Sequence, residues 1–427
     1  MDKKIWNTSG VKISEEISSF LAGEDIELDN SIFIYDIDAT IAHIKGLQSI
    51  NILKKNEFNR LNKSLKGLRK KFLEGSFKLT KKYEDCHSAI EFYLTKELGD
   101  LGKKVHTGRS RNDQVLVAMR LFAKNNLHDF KKLNQSIAKT FLQMANKYEY
   151  VPMPGYTHLQ RAMPSSWGLW FSSYAESFID NIDLINSTIE WIDSNPLGSA
   201  AGYGVALPLD RKTTTKELGF KRLQLNSLYT QNSRGKYEMQ VINTLKQSML
   251  DVRKFAWDMS LFMSQEFNLL TIDKAYLTGS SIMPNKHNPD VIEILRANYS
   301  ILAGQASELE NIISLPSGYH RDLQLTKRSL VSSFDISLKS LSILPKLIKS
   351  IKVNKKNSLE YIDNEMKMTD KVYALVNEGI PFRDAYTQVK NSNDLSQFSE
   401  TTRSNYSEGS PGNLKLNVLE KRLSKQR

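Results

Sequence analysis

Arg109, Arg111, Asn112, Thr157, Tyr319, Arg321, Gln324 and Lys327 are all hydrogen-bond donors, and all sit in short polar islands of an otherwise helix-like sequence. The islands are HTGRSRNDQ (His106 to Gln114), MPGYTHLQRAMP (Met153 to Pro164) and LPSGYHRDLQLTK (Leu315 to Lys327), joined by EDCHSAIE (Glu84 to Glu91). A fifth, GSSIMPNKHNPD (Gly279 to Asp290), places two serines ahead of a lysine and two asparagines. Arginine grips a carboxylate with two parallel bonds and lysine adds a point charge. The natural ligand of such a set is an anionic small molecule. The seven histidines are scattered without metal-ligand spacing, and no glycine-rich turn follows a strand. Neither a metal nor a nucleotide cofactor is therefore expected.

These loops need rigid supports, and the apolar periodicity supplies them. Ile242, Leu245, Met249, Val252, Ala256, Met259 and Met263 step by 3 and 4, as do Ile292, Leu295, Tyr299, Leu302, Ala306, Leu309 and Ile313. Three heptads of that spacing on either side of the GSS loop predict long helices packed in a bundle. A third helix is expected from Asp113 to about Tyr148. No alternating strand series stands out, so the fold class is all-α. Phe255, Leu261, Phe262, Ile294 and Ile301 lie off the two seams. Helices apolar on more than one side are buried on more than one side, which predicts oligomerisation. The expected division is an N-terminal helical domain (1–112), a central long-helix bundle (113–357) and a small C-terminal helical domain with a polar tail (358–427).

Composition narrows the class further. The chain has 427 residues, 40% of them hydrophobic and 25% charged, with 21 glycines and 11 prolines. That is globular composition with few turn formers. No apolar run is long enough to span a bilayer, and MDKKIWNTSG lacks the apolar stretch of a secretion signal. One cysteine, Cys86, excludes an internal disulfide. A soluble, cytoplasmic protein is the expectation. Between Lys45 and Lys82, twelve Lys or Arg stand against Glu57 and Glu74, a local balance of +10 within a formal net charge of +12. Phe58, Leu61, Leu65, Leu68 and Phe72 run through this stretch at helical spacing. It reads as an amphipathic helix with a solvated basic face, not as a nucleic-acid site.

GSSIMPNKHNPD resembles the signature loop of the fumarase/aspartase superfamily, Gly-Ser-Ser-x-Met-Pro-x-Lys-x-Asn. HTGRSRNDQ, PGYTHLQRA and YHRDLQLTK resemble the argininosuccinate lyase branch of it. The likeness runs from DIDATIAH near Asp36 to PFRDAY at Pro381 to Tyr386, and more weakly to EGSPGNL (Glu408 to Leu414). The resemblance implies a fumarase/aspartase-like fold whose central helices assemble into a tetrameric helical core, with each site shared between three subunits. It implies argininosuccinate lyase chemistry: reversible cleavage of argininosuccinate to L-arginine and fumarate through an aci-carboxylate carbanion. That reaction belongs to arginine biosynthesis and the urea cycle. It requires no cofactor.

By the same resemblance, Ser280 is the base, acting as an alkoxide, and Lys286 and Asn288 hold the reacting carboxylate. His158, oriented by Glu293, stands on the side of the leaving nitrogen. Thr40, Arg111, Asn112, Thr157, Ser281, Tyr319, Arg321, Gln324 and Lys327 fall on substrate-binding positions, and His87 lies in a family-like island. The sequence departs from the family pattern at IWNTSG, within LGSAAGYGVALPLDR (Leu197 to Arg211), and around Arg234. Another fumarate-releasing lyase, such as adenylosuccinate lyase, would need a phosphate-binding cluster in place of these islands. A non-catalytic crystallin-like relative would not need the full set of chemical residues.

Overall fold

A computed structural model of the chain describes residues 14–80, 82–397, 399 and 406–426. The IWNTSG departure lies outside the described residues. The main helices are α1 (Glu15–Ala22), α2 (Phe33–Ser49), α3 (Lys55–Leu73), α4 (Cys86–Leu98) and α5 (Arg111–Lys147). A hairpin of β1 (Pro152–Thr157) and β2 (Gln160–Ser166) follows. Then come α6 (Trp167–Ile192), α7 (Lys236–Phe262), α8 (Asp290–Ile312), α9 (Thr326–Lys349), α10 (Met368–Asn377) and α11 (Leu416–Ser424). The all-α class holds. No helix among the described residues is long and apolar enough to cross a membrane.

The chain forms two compact units. Unit 1 takes the chain up to His128, Thr188–Asn243 and Gly304–Phe334; unit 2 takes Asp129–Ser187, Thr244–Ala303 and from Asp335 onward. Both long stripes behave as their spacing requires. Ile242, Leu245, Met249, Val252, Ala256 and Met259 of α7 are buried, as are Ile292, Leu295, Leu302, Ala306 and Leu309 of α8. Each such side chain removed from water contributes roughly 1.5–3 kcal/mol, so these two stripes anchor the helices on which the loops hang. Of the off-seam residues, Phe255 and Phe262 are buried within the chain, whereas Ile294 and Ile301 face outward.

In unit 1, Leu61, Leu65 and Leu68 bury the inner face of α3 while its lysines stay in solvent. The basic stretch is thus two helices, α2 ending at Ser49 and α3 beginning at Lys55. The Glu57 carboxylate caps the start of α3 by accepting from the Lys54 N–H at 2.7 Å. Phe33 stacks on Phe77 at 5.6 Å and meets Phe72 edge-on at 4.7 Å.

Unit 2 is built on an aromatic core. Phe141 contacts Tyr174, Phe178 and Phe255, and Trp170 lies against Phe171 and Phe255. Polar pairs inside it set the register between helices: Ser248 donates to Asn134 at 2.9 Å, and Trp170 and Tyr174 both donate to Asp258 at 2.8 Å. Such buried partners leave few alternative slides of one helix on another, because a shift would orphan a polar group. The tail docks here as well. Leu416 and Leu419 of α11 are buried, and Arg422 reaches Glu176 and Asp180 at 3.0 and 2.6 Å.

The β1–β2 hairpin is an element that the periodicity did not announce. Its strands carry Pro152, Pro154 and Pro164, and the pairing shifts register between Pro154 and Tyr156. Gly155 sits at that irregularity, where an added Cβ would come 2.7 Å from the Met163 carbonyl oxygen. At the exit, a Cβ on Gly168 would meet Glu149 Cα at 2.5 Å. Close backbone approach, not propensity, makes this turn.

Candidate active site

The candidate residues divide between the units. Thr40, Arg111, Asn112, Tyr319, Arg321, Gln324 and Lys327 belong to unit 1; Thr157, His158, Ser280, Ser281, Lys286, Asn288 and Glu293 belong to unit 2.

In unit 1 a continuous charge network links most of the donors. Arg111, the first residue of α5, reaches Glu84 at 2.6 Å and also pairs with Asp85. Arg321 stands 3.8 Å from the same Glu84. Lys327 is buried with its ammonium 3.0 Å from Asp25 and against Asp29, whose other oxygen accepts from the Cys86 N–H at 2.8 Å. Burial alone would lower the pKa of both Lys327 and Arg111. The carboxylates beside them more than offset it and hold each above its ordinary value. Arg321 and Gln324 also donate, at 2.9 Å each, to the backbone carbonyl of Leu21 at the end of α1.

The remaining unit 1 candidates surround this network. Thr40 is buried and accepts from the Arg109 guanidinium at 2.9 Å. The Asn112 N–H donates to Ser110 Oγ at 3.3 Å, beside Asp113, whose carboxylate gathers the N–H groups of Ser110, Gly198 and Ala200. Asp113 thereby pins the LGSAAG segment to the start of α5. The Tyr319 ring lies 5.7 Å from the Arg234 guanidinium. The His87 Nδ1–H donates to buried Asp36 at 2.7 Å, with Cys86 Sγ 3.7 Å from the same oxygen. Burial would lower the His87 pKa, but the Asp36 carboxylate outweighs it and the net shift is upward.

Asp36, Cys86 and His87 place three potential metal ligands within 4.8 Å of one another. Bonds of about 2.0–2.1 Å to a tetrahedral ion would hold neighbouring ligand atoms roughly 3.3 Å apart. The 2.7 Å between His87 Nδ1 and Asp36 Oδ2 is shorter than that, so as arranged the pair is a charge-assisted hydrogen bond.

In unit 2 the GSS stretch is a loop on a short neck: Thr278 pairs with Asn288 and Gly279 with His287 in antiparallel register. Beyond the neck, Ser281 to His287 are exposed. The Ser280 side-chain oxygen accepts two backbone N–H bonds, from Ile282 at 3.3 Å and Met283 at 3.0 Å. The Lys286 N–H closes the loop on the Met283 carbonyl at 3.1 Å. Two N–H dipoles aimed at a hydroxyl oxygen favour its deprotonated form. Glu293 lies exposed in the first turn of α8.

His158 and Leu159 form the tip of the β1–β2 hairpin with φ of +53° and +58°. That left-handed conformation is costly for residues with a Cβ and persists where the surroundings enforce it. Arg161, opposite Tyr156 in the pairing, supplies part of the enforcement by meeting Asp363 at 3.1 Å and the Tyr361 carbonyl at 3.2 Å. Tyr156 itself packs on Phe262 and Phe267. Among the described residues, no hydrogen bond or ion pair joins His158 to Glu293, Ser280 or Lys286.

Sequence reasoning missed the acidic partners, Asp25, Asp29, Glu84 and Asp85, and the brace Arg161. Glu84, Asp85 and Arg161 lay inside islands already singled out, but nothing in their spacing told which cation each would meet. Asp25 and Asp29 lay in no island at all.

Comparison with known proteins places this architecture. A family model described as Lyase matches residues 18–303. The chain is 47% identical over 423 residues to the argininosuccinate lyase of Xanthomonas oryzae pv. oryzae (strain PXO99A), covering 98% of each. It is 48% identical over 394 residues to that of Xylella fastidiosa (strain Temecula1 / ATCC 700964), covering 92% of this chain and 88% of the relative. In fold it is similar to EDDS lyase solved in complex with formate, with a TM-score of 0.81 at 22% identity, covering 98% of this chain and 92% of that one. A GSS loop on a helical scaffold, matched end to end at such identity, leaves one family: the chain belongs to the argininosuccinate lyases of the fumarase/aspartase superfamily.

Proposed function

We propose that this protein catalyses the reversible elimination that splits argininosuccinate into L-arginine and fumarate, in arginine biosynthesis. The observation that carries the mechanism is the pair of N–H bonds from Ile282 and Met283 onto Ser280 Oγ. In this reading the Ser280 alkoxide takes a proton from the succinyl carbon next to a carboxylate. The electron pair left behind spreads onto that carboxylate, which becomes an aci-carboxylate dianion. Lys286 and Asn288 absorb the charge, each such donor contributing about a hundred- to a thousandfold. The pair then returns to form the C=C bond of fumarate as the C–N bond breaks, and the departing guanidino nitrogen gains a proton from the His158 side.

Thr40, Arg111, Asn112, Thr157, Ser281, Tyr319, Arg321, Gln324 and Lys327 bind substrate in this reading, and Glu293 orients His158. Among the described residues His158 and Glu293 share no hydrogen bond or ion pair within one chain, which fits sites assembled from several subunits of a homotetramer. A protein working in the cytoplasm without cofactor suits this chemistry. In this reading the exposed GSS loop closes over substrate on its two-rung neck and excludes water.

The test is direct. Purified protein given argininosuccinate, with no metal or nucleotide added, should release fumarate, read as rising ultraviolet absorbance. Silence with argininosuccinate and turnover of adenylosuccinate would replace this reading with the rival lyase.

A further inference from the structure

LGSAAGYGVALPLDR, where the sequence departs from the family pattern, is fastened in unit 1 to two of the donor islands. Asp113, next to Asn112, accepts from the Gly198 and Ala200 N–H groups at 2.9 and 3.0 Å. Two adjacent residues at the end of a short helix, Ser227–Asn232, make the second link. Gln231 Nε2 donates to the Ala200 carbonyl at 2.8 Å. Asn232 accepts from the Gly318 N–H at 2.8 Å and donates to Ser317 Oγ at 3.2 Å. This clamp brings Tyr203 beside the island that carries Tyr319 and Arg321. A Cβ built on Gly318 would lie 4.0 Å from the Tyr203 hydroxyl oxygen.

Tyr203 itself stands in solvent, 82% exposed. Among the described residues its ring meets no aromatic or cationic group, and its hydroxyl has no hydrogen-bond partner. The glycines on either side have left-handed φ, +107° at Gly202 and +78° at Gly204. A Cβ at Gly202 would come 3.0 Å from Gln231 Cγ, so backbone and clamp both favour glycine there. The segment is thus held tightly up to the turn, and the turn presents one large uncovered ring next to a substrate-binding island.

That ring meets a need of the reaction proposed above, on which this inference rests. Lys286 and Asn288 take the reacting carboxylate of the succinyl half, and the arginyl half carries a guanidinium. Arg111 and Arg321 attract carboxylates and repel that cation. An aromatic face attracts a guanidinium without adding a formal charge. The Tyr319 ring already faces the Arg234 guanidinium at 5.7 Å, whereas the Tyr203 ring is uncovered. We infer that Tyr203 is a specificity-determining residue whose ring covers the guanidinium and aliphatic stem of the arginyl half. The ring supplies the contact and the hydroxyl is dispensable.

Steady-state cleavage of argininosuccinate by full-length wild type, Tyr203→Ala and Tyr203→Phe tests this. Tyr203→Ala should raise KM by about tenfold and leave kcat within about twofold, as expected for loss of a contact between an aromatic ring and a ligand cation. Product inhibition by arginine should weaken to the same extent, while inhibition by succinate, which has no guanidinium, should stay as in wild type. Tyr203→Phe should match wild type in all three readouts. A merely structural role would move kcat or both inhibitors together. Unchanged KM in Tyr203→Ala, equal weakening of arginine and succinate, or a Tyr203→Phe variant as impaired as Tyr203→Ala overturns the inference. Wild type that does not cleave argininosuccinate overturns the lyase reading and this inference with it; wild type that cleaves it while Tyr203→Ala keeps its KM overturns the inference alone.

Discussion

Lys327 Nζ lies 3.0 Å from Asp25 Oδ1 across 302 residues of sequence, both side chains nearly sealed from solvent. A lysine proposed to bind substrate is thus also the centre of a buried ion cluster with Asp29. Removing one member of such a cluster leaves the others charged and unpaired, at a cost of about 3–5 kcal/mol. Lys327→Met should therefore lower the stability of the protein by that order in urea titration, in addition to any loss of substrate affinity. Wild-type stability in the variant would confine Lys327 to ligand contact.

Ser280→Ala should cut turnover by at least about a hundred- to ten-thousandfold, the usual contribution of proton transfer by a positioned group. The helices flanking the loop are buried independently of it, so melting temperature and assembly should not change. If sites are shared, mixing this variant with His158→Asn protein should restore part of the activity, because some sites then receive both intact residues. Turnover by Ser280→Ala alone near the wild-type rate would remove Ser280 from the base role.

Arg161 holds the hairpin beneath His158 through Asp363 and the Tyr361 carbonyl. Arg161→Ala should release the strained His158–Leu159 tip and lower kcat by roughly ten- to a hundredfold, with a smaller change in KM, since small misplacements of a reacting group are costly. The charge reversal Arg161→Asp with Asp363→Arg should recover part of kcat. An unchanged kcat in Arg161→Ala would show that the turn is positioned without it.

The long helices could be read from the sequence because burial on one face imposes a period that no tertiary detail alters: Ile242 to Met259 sink as spaced, as do Ile292, Leu295, Leu302, Ala306 and Leu309, while Tyr299, Met263 and Ile313 stay half-buried. The β1–β2 hairpin could not, because its three prolines break the alternating pattern and its shape depends on Gly155 against Met163. The GSS loop was legible through its motif. The partners of the donors were not: Asp25 and Asp29 sit in DIELDN, which looks like any acidic helix turn until Lys327 arrives from the far end of the unit. Long-range charge pairing has no period, so spacing cannot report it.

His87 supplies a pH signature. Its folded pKa is raised by Asp36 against the opposing effect of burial. A histidine with a raised folded pKa contributes stability that is fully present below the unfolded value of about 6.5 and is lost as pH rises through the folded one. The stability gap between wild type and His87→Gln should accordingly be widest under mildly acidic conditions and narrow as the pH climbs above neutrality. His43, whose pKa is lowered by burial and by Arg109, works in the opposite sense, so the comparison must be made against the His87 variant at each pH. A gap that widens with rising pH would contradict the assigned direction.

Ile294 and Ile301 are 61% and 47% exposed on α8, seven residues apart and so on one face, while Ile292, Leu295 and Leu302 beside them are buried. A long helix that keeps two large aliphatic side chains in water has a face left for another surface, and in the proposed tetramer that surface is a second copy. Covering one isoleucine stabilises by about 1.5–3 kcal/mol, which corresponds to about tenfold or more in association. Ile294→Glu should shift the protein towards smaller species in sedimentation velocity and lower activity with it, because separated subunits cannot complete shared sites. Lys286 and Ser280 stay intact in that variant, so activity should return at high protein concentration. A wild-type protein that sediments as a single chain while still cleaving argininosuccinate would refute both the interface and the shared site.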